Sequence, residues 1–199
     1  MQVKAGTRRL ARLAPSQSLA EAAVRQVLIV VYSYTGTSRR VAQRLAADRG
    51  WPIGEVIDAK PRSGSLRCVL DSVFHRRPAI RYTGPDPATF DAVVLVSPIW
   101  VEGLSAPMRS FVAEHGAKLR DFAVLSVMGS KGAPNAVAEI SRRIGHRPIV
   151  TAAFKRREIQ DGSADVHIDV FAHAVERAQS AARTSVPGRS PPRRRPASA

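Results

Sequence analysis

Two apolar runs without polar interruption, residues 27–32 (VLIVVY) and 92–96 (AVVLV), stand out in the hydropathy pattern of this chain. A strand with one wet face alternates apolar and polar side chains, so unbroken β-branched runs predict parallel strands covered on both sides. Residues 122–128 and 148–154 repeat the signal at intervals that leave room for helices between them. After the first run the period changes. Val41, Ala42, Leu45 and Ala46 share one helical face, and Gly50 follows Arg49 where a helix end takes a left-handed residue. Further helices are predicted over residues 65–75, 106–115, 135–144 and 165–182, with Ser105 as candidate N-cap and Pro107 in the first turn of the second of these. A short strand over 53–58, a small edge strand over 79–82 and loops over 97–103, 129–134 and 156–163 complete the reading. The order βαβαβαβαβα predicts a doubly wound α/β fold: a parallel five-stranded sheet of order 2-1-3-4-5 with helices on both faces. Ligands of such sheets bind beyond the carboxyl ends of the strands where the order reverses, between the strands that begin at Val27 and Ala92.

Chemistry gathers at that switch point. The six residues after the first strand, Ser33, Tyr34, Thr35, Gly36, Thr37 and Ser38, hold four hydroxyls besides the tyrosine around one conformationally free glycine. Such a turn at a helix N-terminus suits an anion, because free backbone N–H groups, the helix dipole and the hydroxyls all favour negative charge there. Arg39 and Arg40 stand beside it. They are placed unfavourably for the dipole unless a phosphate occupies the turn. The alternative is a capped strand-to-helix connection with solvated arginines. The sequence from Ser33 to Ser38, directly after a hydrophobic strand, resembles the phosphate loop of the flavodoxins: a hydroxyl residue, any residue, Thr-Gly, any residue, then Thr or Ser.

The second apolar run leads into Ser97-Pro98-Ile99-Trp100-Val101-Glu102-Gly103. A tryptophan just past the carboxyl end of a central strand is placed for a ligand, although a core or lid role would also use one. The Pro-Ile-Trp-x-x-Gly-x-x-x-Pro arrangement resembles the loop that lines the flavin ring in flavodoxin-like proteins. By position, Gly129, Ser130, Lys131 and Gly132 form a third ligand loop, without the aromatic residue that flavodoxins often carry near there. The resemblance implies a flavodoxin-like fold and FMN as cofactor. It implies a phosphate held by the hydroxyls of Ser33, Thr35 and Ser38 and by amides through Thr37, one ring wall from Pro98, Ile99, Trp100, Val101 and Gly103, and a second, more open side at the third loop. The implied function is electron transfer with a redox protein partner or an NAD(P)H-linked reductase. An FMN-dependent NAD(P)H:quinone or flavin reductase is the alternative, and a flavodoxin-fold binding module using basic tails is a third.

Charge changes the picture less than its total promises. Of the formal +15, residues 1–26 carry +4 and residues 183–199 carry +5, leaving +6 for the whole of residues 27–182. No long Lys/Arg stripe with interleaved aromatics is present, so nucleic acid and membrane surfaces are not the expected partners. The expected organisation is a basic N-terminal extension (1–26), which an organelle-targeting peptide would also resemble, a flavodoxin-like FMN-binding domain (27–182) and an Arg/Pro/Ser-rich disordered tail (183–199). Lacking any secretory core or membrane-length apolar run, the chain is expected to be soluble and cytoplasmic. Cys68 is the single cysteine, expected to be packed on the helix over 65–75, so disulfide, CxxC and cysteine-zinc chemistry are excluded. No metal is expected, and GxGxxG, Walker, GxSxG and HExxH motifs are all missing.

Overall fold

A computed structural model describes residues 27–59, 77–129 and 131–184. The N-terminal extension, the predicted helix over 65–75 with Cys68, Ser130 and the tail beyond residue 184 lie outside the described residues. The elements are β1 (Val27–Tyr32), α1 (Thr37–Arg49), β2 (Ile53–Asp58), β3 (Ile80–Thr83), β4 (Ala92–Trp100), β5 (Gly103–Leu104), α2 (Ala106–His115), β6 (Asp121–Met128), α3 (Ala133–Ile144), β7 (Val150–Lys155), α4 (Arg156–Asp161) and α5 (Asp165–Thr184).

Five strands run parallel in the spatial order β2-β1-β4-β6-β7. That is the expected 2-1-3-4-5 arrangement. Two strands are added to it: β3 lies antiparallel on the β2 edge, and β5 folds back antiparallel on the end of β4. Every β1 side chain is buried, and successive residues feed opposite cores because strand side chains alternate between faces. Val27, Ile29 and Val31 join Val41 and Leu45 of α1, Ile159 of α4 and Ile168 and Phe171 of α5 on one face. Leu28, Val30 and Tyr32 join Met108 and Phe111 of α2 and Ile140 of α3 on the other. The unpatterned runs are therefore double-sided strands.

Several boundaries differ from the sequence reading for identifiable reasons. The strand predicted to stop at Val96 continues to Trp100, because Ser97 and Pro98 still pair with Ser126 and Val127 of β6 and Ile99 pairs with Leu104. The loop expected over 156–163 contains a turn and a half of helix. Glu158 at the third helical position accepts a hydrogen bond from the Lys155 amide at 2.9 Å, and Ile159 is buried. Ser105 precedes α2 but does not cap it; its hydroxyl lies 2.7 Å from that of Ser97 in a buried pair. The left-handed Gly50 after α1 is as expected, with φ 68°. Among the described residues no helix is long and apolar enough to cross a membrane.

Candidate functional site

A cavity of about 790 Å³ opens where β1, β4, β6 and β7 end, lined by residues that directly follow or terminate those strands. Its volume lies inside the roughly 300–1,000 Å³ range of small-molecule and cofactor sites. One end is polar. The β1–α1 turn places Ser33, Tyr34, Thr35, Thr37 and Ser38 on the cavity wall. Gly36, at φ 87°, turns the chain into α1, and the first helical amide bond runs from Arg40 N to Gly36 O at 2.9 Å. The amides of Thr37, Ser38 and Arg39 precede that bond and have no intrahelical acceptor. No acidic residue occupies the first turn. The Ser33 hydroxyl oxygen is buried with no hydrogen-bond partner. A buried hydroxyl left unmade costs about 1–3 kcal/mol, so its persistence beside free amides marks a place for an acceptor from outside the chain.

The other end is apolar and strained. Trp100 pairs with Gly103 across β4 and β5, leaving Val101 and Glu102 as the two central residues of a tight hairpin. Both are left-handed, with φ 47° and 59°. Such turns favour Asn-Gly; a β-branched residue there costs on the order of 1–3 kcal/mol. Three contacts hold the hairpin in place. The Trp100 ring meets Tyr32 and Tyr34 edge-on at 5.8 and 5.7 Å, pairs worth about 0.5–1.5 kcal/mol each. Lys131 of the third loop pairs with Glu102 at 2.9 Å, and that carboxylate's hydrogen bond and charge raise the Lys131 pKa. Gly132, at φ 107°, lies so close that a Cβ there would come within 2.3 Å of the Glu102 Cα.

Behind the hairpin stands a buried arginine. Arg109 of α2 donates to the Leu104 carbonyl at 2.9 Å and to both carboxylate oxygens of Glu139 on α3, at 2.5 and 3.2 Å. Arg143 adds a further bond to Glu139 at 3.1 Å. Burial pushes the Glu139 carboxyl up, but the hydrogen bonds and charge of Arg109, then those of Arg143, outweigh it and hold the pKa below the ordinary glutamate value.

Of the expected site residues, Ser33, Tyr34, Thr35, Thr37, Ser38, Pro98, Ile99, Trp100, Val101, Gly129 and Lys131 line the one cavity. Gly36, Gly103 and Gly132 do not; they shape the backbone, at the start of α1, across from Trp100 and under Glu102. Ser130 lies outside the described residues. Three lining residues were missed: Glu102, Val127 and Arg156. Glu102 stood inside the motif as an unassigned position, and Arg156 was hidden by reading its helix as loop. Arg39 is diverted from the turn, its guanidinium bound to Glu55 of β2 at 2.7 and 3.3 Å. The third loop supplies no aromatic ring, but Tyr34, 43% exposed, brings a second one to the cavity from the first loop. Among the described residues no three His, Cys, Asp or Glu side chains cluster to hold a metal.

Strand order and the position of the cavity define a flavodoxin-like fold. Solved structures agree. The chain is similar to a flavoprotein in complex with FMN from Lactobacillus acidophilus NCFM, at 17% identity and TM-score 0.58 over 70% of this chain and 99% of that one. The apo form of that flavoprotein matches at 17% identity and TM-score 0.52, over 66% and 92%. A flavodoxin, WrbA-like protein from Agrobacterium tumefaciens matches at 15% identity and TM-score 0.51, over 78% and 98%. No family model and no curated protein matches the chain.

Proposed function

We propose that this protein binds FMN in the cavity at the switch point and carries electrons to or from a redox protein partner. The observation that carries the reading is the unpartnered Ser33 hydroxyl beside acceptor-free amides at the start of α1. That donor set suits a phosphate dianion, with Thr35, Thr37 and Ser38 adding hydroxyls. Trp100 and Tyr34 offer aromatic surface to the ring. FMN supplies the redox chemistry that the side chains lack; the chain binds, orients and screens it.

A carrier needs no proton donor of its own, and among the described residues the one carboxylate on the cavity wall, Glu102, is tied to Lys131. Val101, 56% exposed, and Tyr34 give the rim a small apolar surface where another protein can approach. A second reading, an NAD(P)H-dependent FMN reductase, is favoured by one feature: a Cβ built at Gly129 would meet nothing within 4 Å beyond its chain neighbours, so there is room beside the third loop. Adding FMN to the purified chain and following its absorbance tests the common premise, since a protein that stays colourless at saturating FMN has no such site. NADPH oxidation by the FMN-loaded protein alone then separates the two, because a carrier is inert without its reductase.

A further inference from the structure

Among the described residues three formally charged side chains line the cavity, Glu102, Lys131 and Arg156, and the first two neutralise each other at 2.9 Å. Arg156 remains. It makes no hydrogen bond or ion pair with any described residue, so the described part of the cavity wall carries one uncompensated positive charge. This guanidinium comes from the β7–α4 junction, more than a hundred residues from the hydroxyl-rich turn. The fold brings them together: α4 packs on α1, and Ile159 lies in the same core cluster as Val41 and Leu45 of that helix. Arg156 therefore shares the cavity with the turn in which Ser33 has a buried hydroxyl without a partner. The cations beside the turn in sequence are not on the wall. Arg39 is bound to Glu55, and Arg40 does not line the cavity.

We infer that Arg156 binds the terminal phosphate of the flavin nucleotide and supplies its countercharge in place of Arg39 and Arg40. The inference rests on the reading of the cavity as an FMN site. The ring and ribityl chain of FMN are uncharged, whereas its phosphate is close to a dianion at neutral pH, so the excess charge of the wall discriminates for that end alone. A guanidinium presents a planar fork of donors that matches two phosphate oxygens, which an ammonium cannot reproduce.

The test compares two flavins that differ only in the phosphate. Full-length wild type, Arg156→Gln and Arg156→Lys are each titrated with FMN and with riboflavin, following quenching of flavin fluorescence. The expected result is a rise of about tenfold in the FMN dissociation constant for Arg156→Gln, equivalent to about 1.4 kcal/mol, with riboflavin affinity unchanged within about twofold. Arg156→Lys recovers part of the loss, and added salt weakens FMN binding less in Arg156→Gln than in wild type. Equal losses for both flavins, or no loss for FMN, overturn the assignment. A wild-type chain that binds neither flavin overturns the reading of the cavity itself, and the assignment with it.

Discussion

Two ion pairs grip the same hairpin, one at its base and one at its tip, and water treats them differently. Arg109 and Glu139, with side chains 0% and 9% exposed, hold the Leu104 carbonyl from within the α2–α3 layer. Lys131 and Glu102, 74% and 49% exposed, join the hairpin tip to the third loop at the cavity mouth. The attraction between opposite charges is common to both, but its consequence is not. In the first pair both charges have been stripped of water, so removing Arg109 leaves the buried Glu139 carboxylate with Arg143, at 3.1 Å, as its remaining counter-ion among the described residues. In the second, both ends keep most of their hydration and the bond is one arrangement among several. The buried pair fixes the base of the hairpin at Leu104; the exposed pair biases where its tip rests.

The largest expected effect comes from the buried side. Arg109→Ala loses about 3–5 kcal/mol of unfolding free energy in urea, whereas the Arg109→Met/Glu139→Leu double variant recovers most of it. A double variant as unstable as the single would show that charge pairing is not what the site contributes. The same pair gives stability a pH dependence. Because the folded pKa of Glu139 is depressed, its contribution is fully present above the ordinary glutamate pKa and is lost as pH falls through the folded value. Wild type should therefore lose stability on acidification more steeply than Glu139→Gln, measured by urea midpoints at neutral pH and at successively lower pH.

Gly132→Ala comes next. Its Cβ would collide with Glu102 backbone, which no rotamer change relieves, and its φ of 107° resists any side chain. A loss of about 1–3 kcal/mol in thermal or urea unfolding is expected. Val101→Gly acts with the opposite sign. Relief of the left-handed strain, less the extra freedom of glycine in the unfolded chain, should stabilise by about 1 kcal/mol, since the exposed Val101 side chain gives up little burial. Smallest is Lys131→Ala, expected to leave the urea midpoint unchanged at physiological salt. A loss comparable to that of Arg109→Ala would erase the contrast between the two pairs.

Much of this architecture was legible in the chain, for a physical reason. Double-sided burial leaves unbroken apolar runs, so β1, β4 and β6 could be read directly, their order followed from short right-handed crossovers, and the hydroxyl-rich turn advertises its acceptor-seeking chemistry by composition. What escaped depends on contacts distant in sequence. Arg109 reads as an ordinary helical arginine until α3 brings Glu139 to it across thirty positions. Arg39 looks like a phosphate ligand until β2 presents Glu55. The α4 helix is too short for a hydrophobic period, and its one signal, Glu158 reaching back to the Lys155 amide, was available but overlooked. Ser105 illustrates the reverse error: the right residue for a cap, with its hydroxyl engaged elsewhere.

The placement of Trp100 makes the site visible from outside. The chain has two tryptophans; Trp51 is buried, at 8% exposure in the core that α1, α4 and α5 cover, while Trp100 lies on the cavity wall between two tyrosines. Indole emission overlaps the absorption of an oxidised isoalloxazine, so occupancy would darken the protein's ultraviolet glow. A Trp51→Phe variant would then report occupancy through a single indole, turning the hairpin into its own optical gauge.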